Sequence, residues 1–119
     1  MTNAFTTIDH VQLAMPPAEE DRARAFYVGA LGMTELPKPA DLAGRGGCWF
    51  ASGTVQLHLG VEQDFRPAKK AHPGLRCADY DALLDKLRAN AIEVREADIP
   101  EGRRAFVDDP FGNRIELIA

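Results

Sequence analysis

Two hydrophobic periods alternate along this chain, and the alternation runs twice. Residues 8–14 (I-D-H-V-Q-L-A) set His10, Gln12 and Ala14 on one side and Val11 and Leu13 on the other. That period of two is what a half-buried strand requires. Pro16-Pro17 stops the strand, and Pro17 suits the first turn of a helix, where its missing N–H would have no partner anyway. Glu19, Glu20 and Asp21 follow, matching the positive end of a helix. Ala25, Phe26, Val28 and Ala30 then form an apolar stripe that Gly32 ends. A short strand is predicted over 33–36, closed by Pro37 and Pro39, and a Pro- and Gly-rich loop over 38–47. Strands are predicted over 48–51 and 54–61, joined by a Ser52-Gly53 hairpin turn. In the second of these, Gln56, His58 and Gly60 face one way, and Val55, Leu57, Leu59 and Val61 the other.

A polar connector over 62–70 separates this half from a second run of the same order. A short strand is predicted over 72–77, then a helix capped by Asp79 with Leu83, Leu84 and Leu87 as its buried stripe, ending near Asn90. Strands follow over 92–96, 104–107 and 114–118. Asp109-Pro110-Phe111-Gly112 reads as a type I turn, with Pro at its second position and Gly at its fourth. Each half is therefore strand, helix, strand, strand, strand. The segments G-A-L-G-M (29–33) and R-A-N-A-I (88–92) take equivalent places at the helix ends. This is a duplicated unit: one domain over 1–119, with module one at about 5–62 and module two at about 70–119. Half of 119 residues makes a marginal core, so the halves need each other or a second chain.

Composition narrows the function. A net charge of −4 disfavours nucleic acid as a partner. No apolar run approaches the roughly 20 residues of a membrane span, and residues 1–7 lack the basic and apolar regions of a secretory signal. Cys48 and Cys77 are isolated from one another, as expected of two inert thiols in a cytoplasmic protein.

The candidate chemistry lies on the strands. All 3 histidines of the chain, His10, His58 and His72, fall on or beside predicted strands, and Glu116 sits between Ile115 and Leu117 on the last one. Histidine with carboxylate is a common ligand set for divalent metals. One histidine on a strand is more often structural than a ligand; matched placement in two repeats shifts that balance. Asp108, Asp109, Gly112 and Asn113 read as turn-forming residues.

Four segments resemble the vicinal oxygen chelate superfamily, which unites glyoxalases, bleomycin-resistance proteins and extradiol dioxygenases. They are I-D-H-V-Q-L (8–13), A-F-Y-V-G-A-L-G-M (25–33), V-Q-L-H-L-G (55–60) and D-D-P-F-G-N-R-I-E-L (108–117), the last being the most specific. The resemblance implies an α+β fold of two βαβββ modules, forming cupped mixed sheets around a central cavity. It implies a small-molecule substrate or ligand and a homodimer, with each cavity built in one chain or across two. It also implies a divalent metal (Zn, Ni, Mn or Fe), although many relatives have kept the fold and lost the metal. Carried over position by position, His10 and His72 match the first-strand ligands of the two modules, and Glu116 the last-strand carboxylate and catalytic group. The fourth ligand is His58, favoured because imidazole is the better ligand, or Gln56, on the same face two residues away.

Trp49, Phe50 and Phe106 are candidate walls of a substrate pocket, with core packing as the alternative for each. Arg66 is a candidate contact for an anionic substrate group at the cavity mouth. The expected function is a metal-dependent lyase, isomerase or epimerase acting on a substrate with adjacent oxygens. The alternative is a metal-free drug-binding protein of the bleomycin-resistance type. A dioxygenase ranks lower, and a fosfomycin-type thiol transferase lower still.

Overall fold

The computed structural model describes residues 2–119. The first module contains β1 (Val11–Met15), α1 (Glu20–Arg24) continuing into a π-helical segment (Ala25–Ala30), β2 (Thr34–Leu36), α2 (Ala40–Ala43), β3 (Cys48–Ser52) and β4 (Val55–Val61). The second contains β5 (Gly74–Arg76), α3 (Tyr80–Ala89), β6 (Arg95–Ile99), β7 (Gly102–Asp108) and β8 (Arg114–Ile118). Each forms its own four-stranded mixed sheet, ordered β1-β4-β3-β2 and β5-β8-β7-β6. In both, the first strand runs parallel to the last, with Val11 opposite Leu57 and Gly74 opposite Glu116. A helical crossover between parallel strands is what such a pairing demands. The doubled strand-helix-strand-strand-strand order is the one the sequence pattern predicts, and the α+β class the one the resemblance implies.

Three boundaries differ from expectation. The ladder of β1 begins at Val11, leaving Ile8 and Phe5 before it with 78% and 88% exposure. The ladder of β5 begins at Gly74, because the preceding Pro73 has no N–H to donate; its carbonyl instead accepts from the Glu116 amide at 3.0 Å. The strand expected over 92–96 starts at Arg95 and runs on to Ile99, paired with β7. The loop expected over 38–47 also contains the short turn of α2, which Pro39 opens.

The helix ends bear out the repeat. Gly32 has φ +75°, and its counterpart Ala91 has φ +59°, a left-handed conformation that costs a residue with a Cβ. Around them, the Ile92 amide reaches back five residues to the Leu87 carbonyl, and the Met33 amide six, to Tyr27. The extra residue in module one is that of the π-helical segment, which turns Phe26, Tyr27 and Ala30 into the core. At Gly47 (φ +86°) a Cβ would lie 2.1 Å from the Leu59 carbonyl oxygen, so β3 can approach β4 there only as glycine.

Each sheet buries one face under its helix. In module one Tyr27 stacks on Phe50 at 5.0 Å, beside Met15, Leu57 and Leu59. In module two Leu84 and Leu87 of α3 bury against Ala105, Val107, Ile115 and Leu117. Cys48 and Cys77 are free thiols, and burial pushes Cys48 up to about 11.

The modules are joined by Asp109. Its buried carboxylate accepts from the Tyr27 hydroxyl at 2.7 Å, and from the Phe111 and Asn113 amides and Asn113 Nδ2 at 2.9 Å each. Asn113 Nδ2 also donates to the Ala14 carbonyl of β1 at 2.8 Å. The turn closes through the Gly112 amide and Asp109 carbonyl at 3.1 Å, the three-residue step of a type I turn. One turn of module two thus holds a helix and a strand of module one. The whole remains open: the radius of gyration is 15.0 Å, against roughly 13.5 Å expected for a compact chain of this length.

Asp109→Ala would leave buried N–H and O–H donors without an acceptor, costing at least about 3 kcal/mol. Tyr27→Phe removes one donor and should cost about 1 kcal/mol. Urea unfolding measures both, and equal costs would deny the carboxylate its joining role. Ala91→Gly relieves the left-handed strain and should raise the urea midpoint, by less than about 1 kcal/mol after the entropy of glycine is counted.

Candidate functional site

The face of each sheet away from its helix carries the polar residues. On the first, strand parity sets His10, Gln12, Trp49, Gln56 and His58 together. His58 is sandwiched: the Trp49 ring stacks on it at 4.2 Å and 7°, and the His10 ring at 4.2 Å and 10°. Gln56 Oε1 lies 3.1 Å from His58 Nε2, and Asp9 Oδ2 2.9 Å from His10 Nδ1. Burial first, then the neighbouring His10, push the His58 pKa below its usual value, favouring the neutral ring. Gly60 lets Gln12 lie across the strand, since a Cβ there would sit 2.6 Å from the Gln12 amide nitrogen.

On the second sheet, Glu116 is 9% exposed and both its oxygens are engaged. Oε1 is 2.9 Å from His72 Nε2, and Oε2 accepts from Arg104 Nη1 at 2.6 Å. His72 Nδ1 meets the Lys70 carbonyl at 2.7 Å. That carbonyl, then Glu116, raise the His72 pKa above its usual value. The His72 bond, with Arg104 adding to it against the burial cost, holds Glu116 below the usual carboxylate range. Arg104 Nε is buried without a partner among the described residues. Phe106 pairs with Glu116 across the ladder, meets His72 edge-on at 5.8 Å, and has the Arg114 guanidinium 6.0 Å above its ring.

The two faces correspond by register. Gly74 pairs with Glu116, two residues after His72; Gln12 pairs with His58, two residues after His10. His58, not Gln56, therefore stands where Glu116 stands. The pairs His10–His58 and His72–Glu116 are equivalent, yet they lie on separate sheets. Among the described residues no three His, Cys, Asp or Glu side chains gather closely enough to hold a metal. The stacked rings of His10 and His58 are also nearly parallel, so their in-plane lone pairs do not converge on one point. The donor chemistry, imidazole with carboxylate, fits a borderline divalent ion; a single chain supplies it as two separate pairs.

Of the other candidates, Trp49 and Phe106 lie on the open faces, while Phe50 is wholly buried under the helix as core. Arg66 lines a 420 Å³ cleft with His72 and Arg114. Arg114 received no role from the sequence, and Arg104 only that of a candidate contact for an anionic group; strand parity, which sets both with Phe106 and Glu116, was the signal that could have found their place. Among the described residues no helix is long and apolar enough to cross a membrane.

Comparison with known proteins agrees with this architecture. No match was found among curated proteins. A glyoxalase family protein from Bacillus anthracis shares 48% identity over 98% of this chain and 97% of its own, with a TM-score of 0.94. An antibiotic-binding protein from a Streptomyces species shares 25% identity over 98% of both chains, with a TM-score of 0.75. A fosfomycin resistance protein from Listeria monocytogenes shares the fold, with a TM-score of 0.76 at 15% identity over 97% of this chain and 93% of its own. Residues 7–117 match the family described as Glyoxalase/Bleomycin resistance protein/Dioxygenase superfamily. With its two βαβββ modules and a match over nearly its whole length, the chain belongs to that superfamily.

Proposed function

We propose that the chain is a small metal-assisted enzyme of the glyoxalase type, a lyase or isomerase acting on a compact substrate with adjacent oxygens. The observation that carries this reading is the equivalence of His10–His58 with His72–Glu116: a duplicated fold has kept metal-ligating chemistry at the same position in both repeats. The ligand set is His10, His58, His72 and Glu116. Because one chain keeps the pairs on separate faces, the set is completed when a second copy lays its second module against the first. The open shape and the exposed Phe5 and Ile8 support such a homodimer.

A divalent ion (Zn, Ni, Mn or Fe) would polarise the adjacent oxygens of the substrate. The residues themselves do the rest. Glu116, kept ionised by His72 and Arg104, is the group able to take up a proton once loosened from the ion. Trp49 and Phe106 present apolar rings to the substrate and exclude water. Gln56 fixes the orientation of His58, the second partner a ligating histidine needs.

Two observations favour a second reading, a metal-free binder. Arg104 already supplies Glu116 with a cation, and the Trp49–His58–His10 stack offers a flat aromatic surface to a drug-like ligand. The likeness to an antibiotic-binding protein points the same way.

Elemental analysis of untagged protein, with calorimetric metal titration, separates the two. The enzyme reading expects one tightly held ion per chain, lost when His72 and Glu116 are both changed to alanine. Gln56→Ala should weaken the ion only about tenfold, as an outer partner does, and His58→Ala far more. A double variant still holding one equivalent would refute the ligand assignment, and no ion with no heat would leave the binder. In metal-free protein, NMR should show His72 titrating above its ordinary value and falling back in Glu116→Gln; an unmoved titration would contradict the pair.

A further inference from the structure

Most arginines of this acidic chain are occupied. Arg24, Arg88, Arg95, Arg103 and Arg104 meet carboxylates. Arg22 meets Glu19, and Arg76 the Ala119 carbonyl. Arg45, Arg66 and Arg114 have neither an ion-pair nor a side-chain hydrogen-bond partner among the described residues; Arg45 lies apart in the loop before β3, and Arg114 has only the Phe106 ring beneath it, 6.0 Å away. Yet Arg66 and Arg114 come from distant parts of the sequence, the connector and the start of β8, and line the same 420 Å³ cleft. His72 is in its wall, with Gln12 as a neutral donor and Glu62 as its acidic member.

Two unpaired guanidiniums in one cleft repel each other and leave their N–H donors free for a ligand. A guanidinium is also the side chain whose planar fork matches a carboxylate or phosphate bidentately. We infer that this cleft is the receiving site for a compact oxyanion, the carboxylate or phosphoryl group of the substrate, held by Arg66 and Arg114 beside the His72–Glu116 pair. The inference rests on the enzyme reading only in calling that anion part of the substrate; the anion site itself requires no metal. It also gives the substrate a polarity: its charged end lies in the cleft, and its reacting oxygens lie towards His72. The first sheet, neutral and aromatic around Trp49 and His58, is left for the uncharged part.

The test uses full-length protein stripped with chelator and then freed of it, titrated calorimetrically with inorganic phosphate and separately with glycolate. Saturable binding of either is expected, weakened about tenfold or more in Arg114→Gln and in Arg66→Gln, the range for loss of one charged hydrogen bond. Glu62→Gln should strengthen it by removing the opposing charge, and Arg66→Lys should restore part of the loss. Sensitivity of the phosphate arm alone identifies a phosphoryl group, and of the glycolate arm alone a carboxylate; either supports the site. No saturable binding of either anion overturns it, as does binding that both glutamine variants leave unchanged while their urea midpoints match the parent. His58→Ala keeps the two ideas separable: it should lose metal and keep the anion. A protein that holds metal but no anion refutes only the cleft.

Discussion

The placement of everything else depends on one buried carboxylate. Asp109 lies where an ionised group is costly, and it is tolerated because four donor contacts surround it. Those donors come from both repeats. Tyr27 brings the π-helical segment of the first module, and Asn113, itself bound to Ala14, brings the edge strand β1. Ala14 lies on the strand that follows His10, and Asn113 directly precedes the strand carrying Arg114 and Glu116. The lock therefore ties β1 to the start of β8, and Ala14 and Asn113 contribute to the wall of the 420 Å³ cleft. The same burial drives the Tyr27 phenol well above its ordinary pKa, so it remains a donor to Asp109 throughout the working pH range.

Duplication explains why the site comes in two equivalent pieces. A βαβββ unit sets its first and last strands side by side and parallel, so a residue just before the first strand reaches one on the last. Repeating the unit repeats that neighbour relation: imidazole over imidazole in one module, imidazole to carboxylate in the other. The second pair carries opposite charges and binds itself. The first pair is held by stacking on Trp49 and by the Gln56 contact to His58. One half of the site is thus an ionic face and the other an aromatic one, a division fixed by which residues the two copies carry.

Most of the architecture was legible in the sequence because both repeats alternate cleanly and end in strong punctuation: Pro16-Pro17, Gly32, Asp79, and the Asp109-to-Gly112 turn. What was not legible depended on pairing. That β1 starts at Val11 follows from where its one partner, β4, supplies a ladder, which no local pattern states. Gln56 and His58 share a face, so parity could not separate them; the register of Gln12 against His58 does. Phe50 looked as able to line a pocket as Trp49, and only the position of Tyr27 sends it to the core. Ala91 hides a left-handed helix end because alanine gives no signal where glycine would.

Arg104 shows how a single neighbour sets the character of the acidic half. Its guanidinium meets Glu116 Oε2 at 2.6 Å while His72 takes Oε1, so the carboxylate is fully engaged before any ligand arrives. A divalent ion approaching Glu116 has twice the charge of the guanidinium, but it must displace a positioned partner and face that partner's repulsion at close range. Arg104 would thus lower the affinity for a metal at this position while helping His72 to keep Glu116 ionised. Its own Nε, buried and unpartnered, gains nothing from the ion pair. The balance would be struck by a residue on β7, outside the proposed ligand set itself, so the four proposed positions alone would not determine how strongly a metal is held.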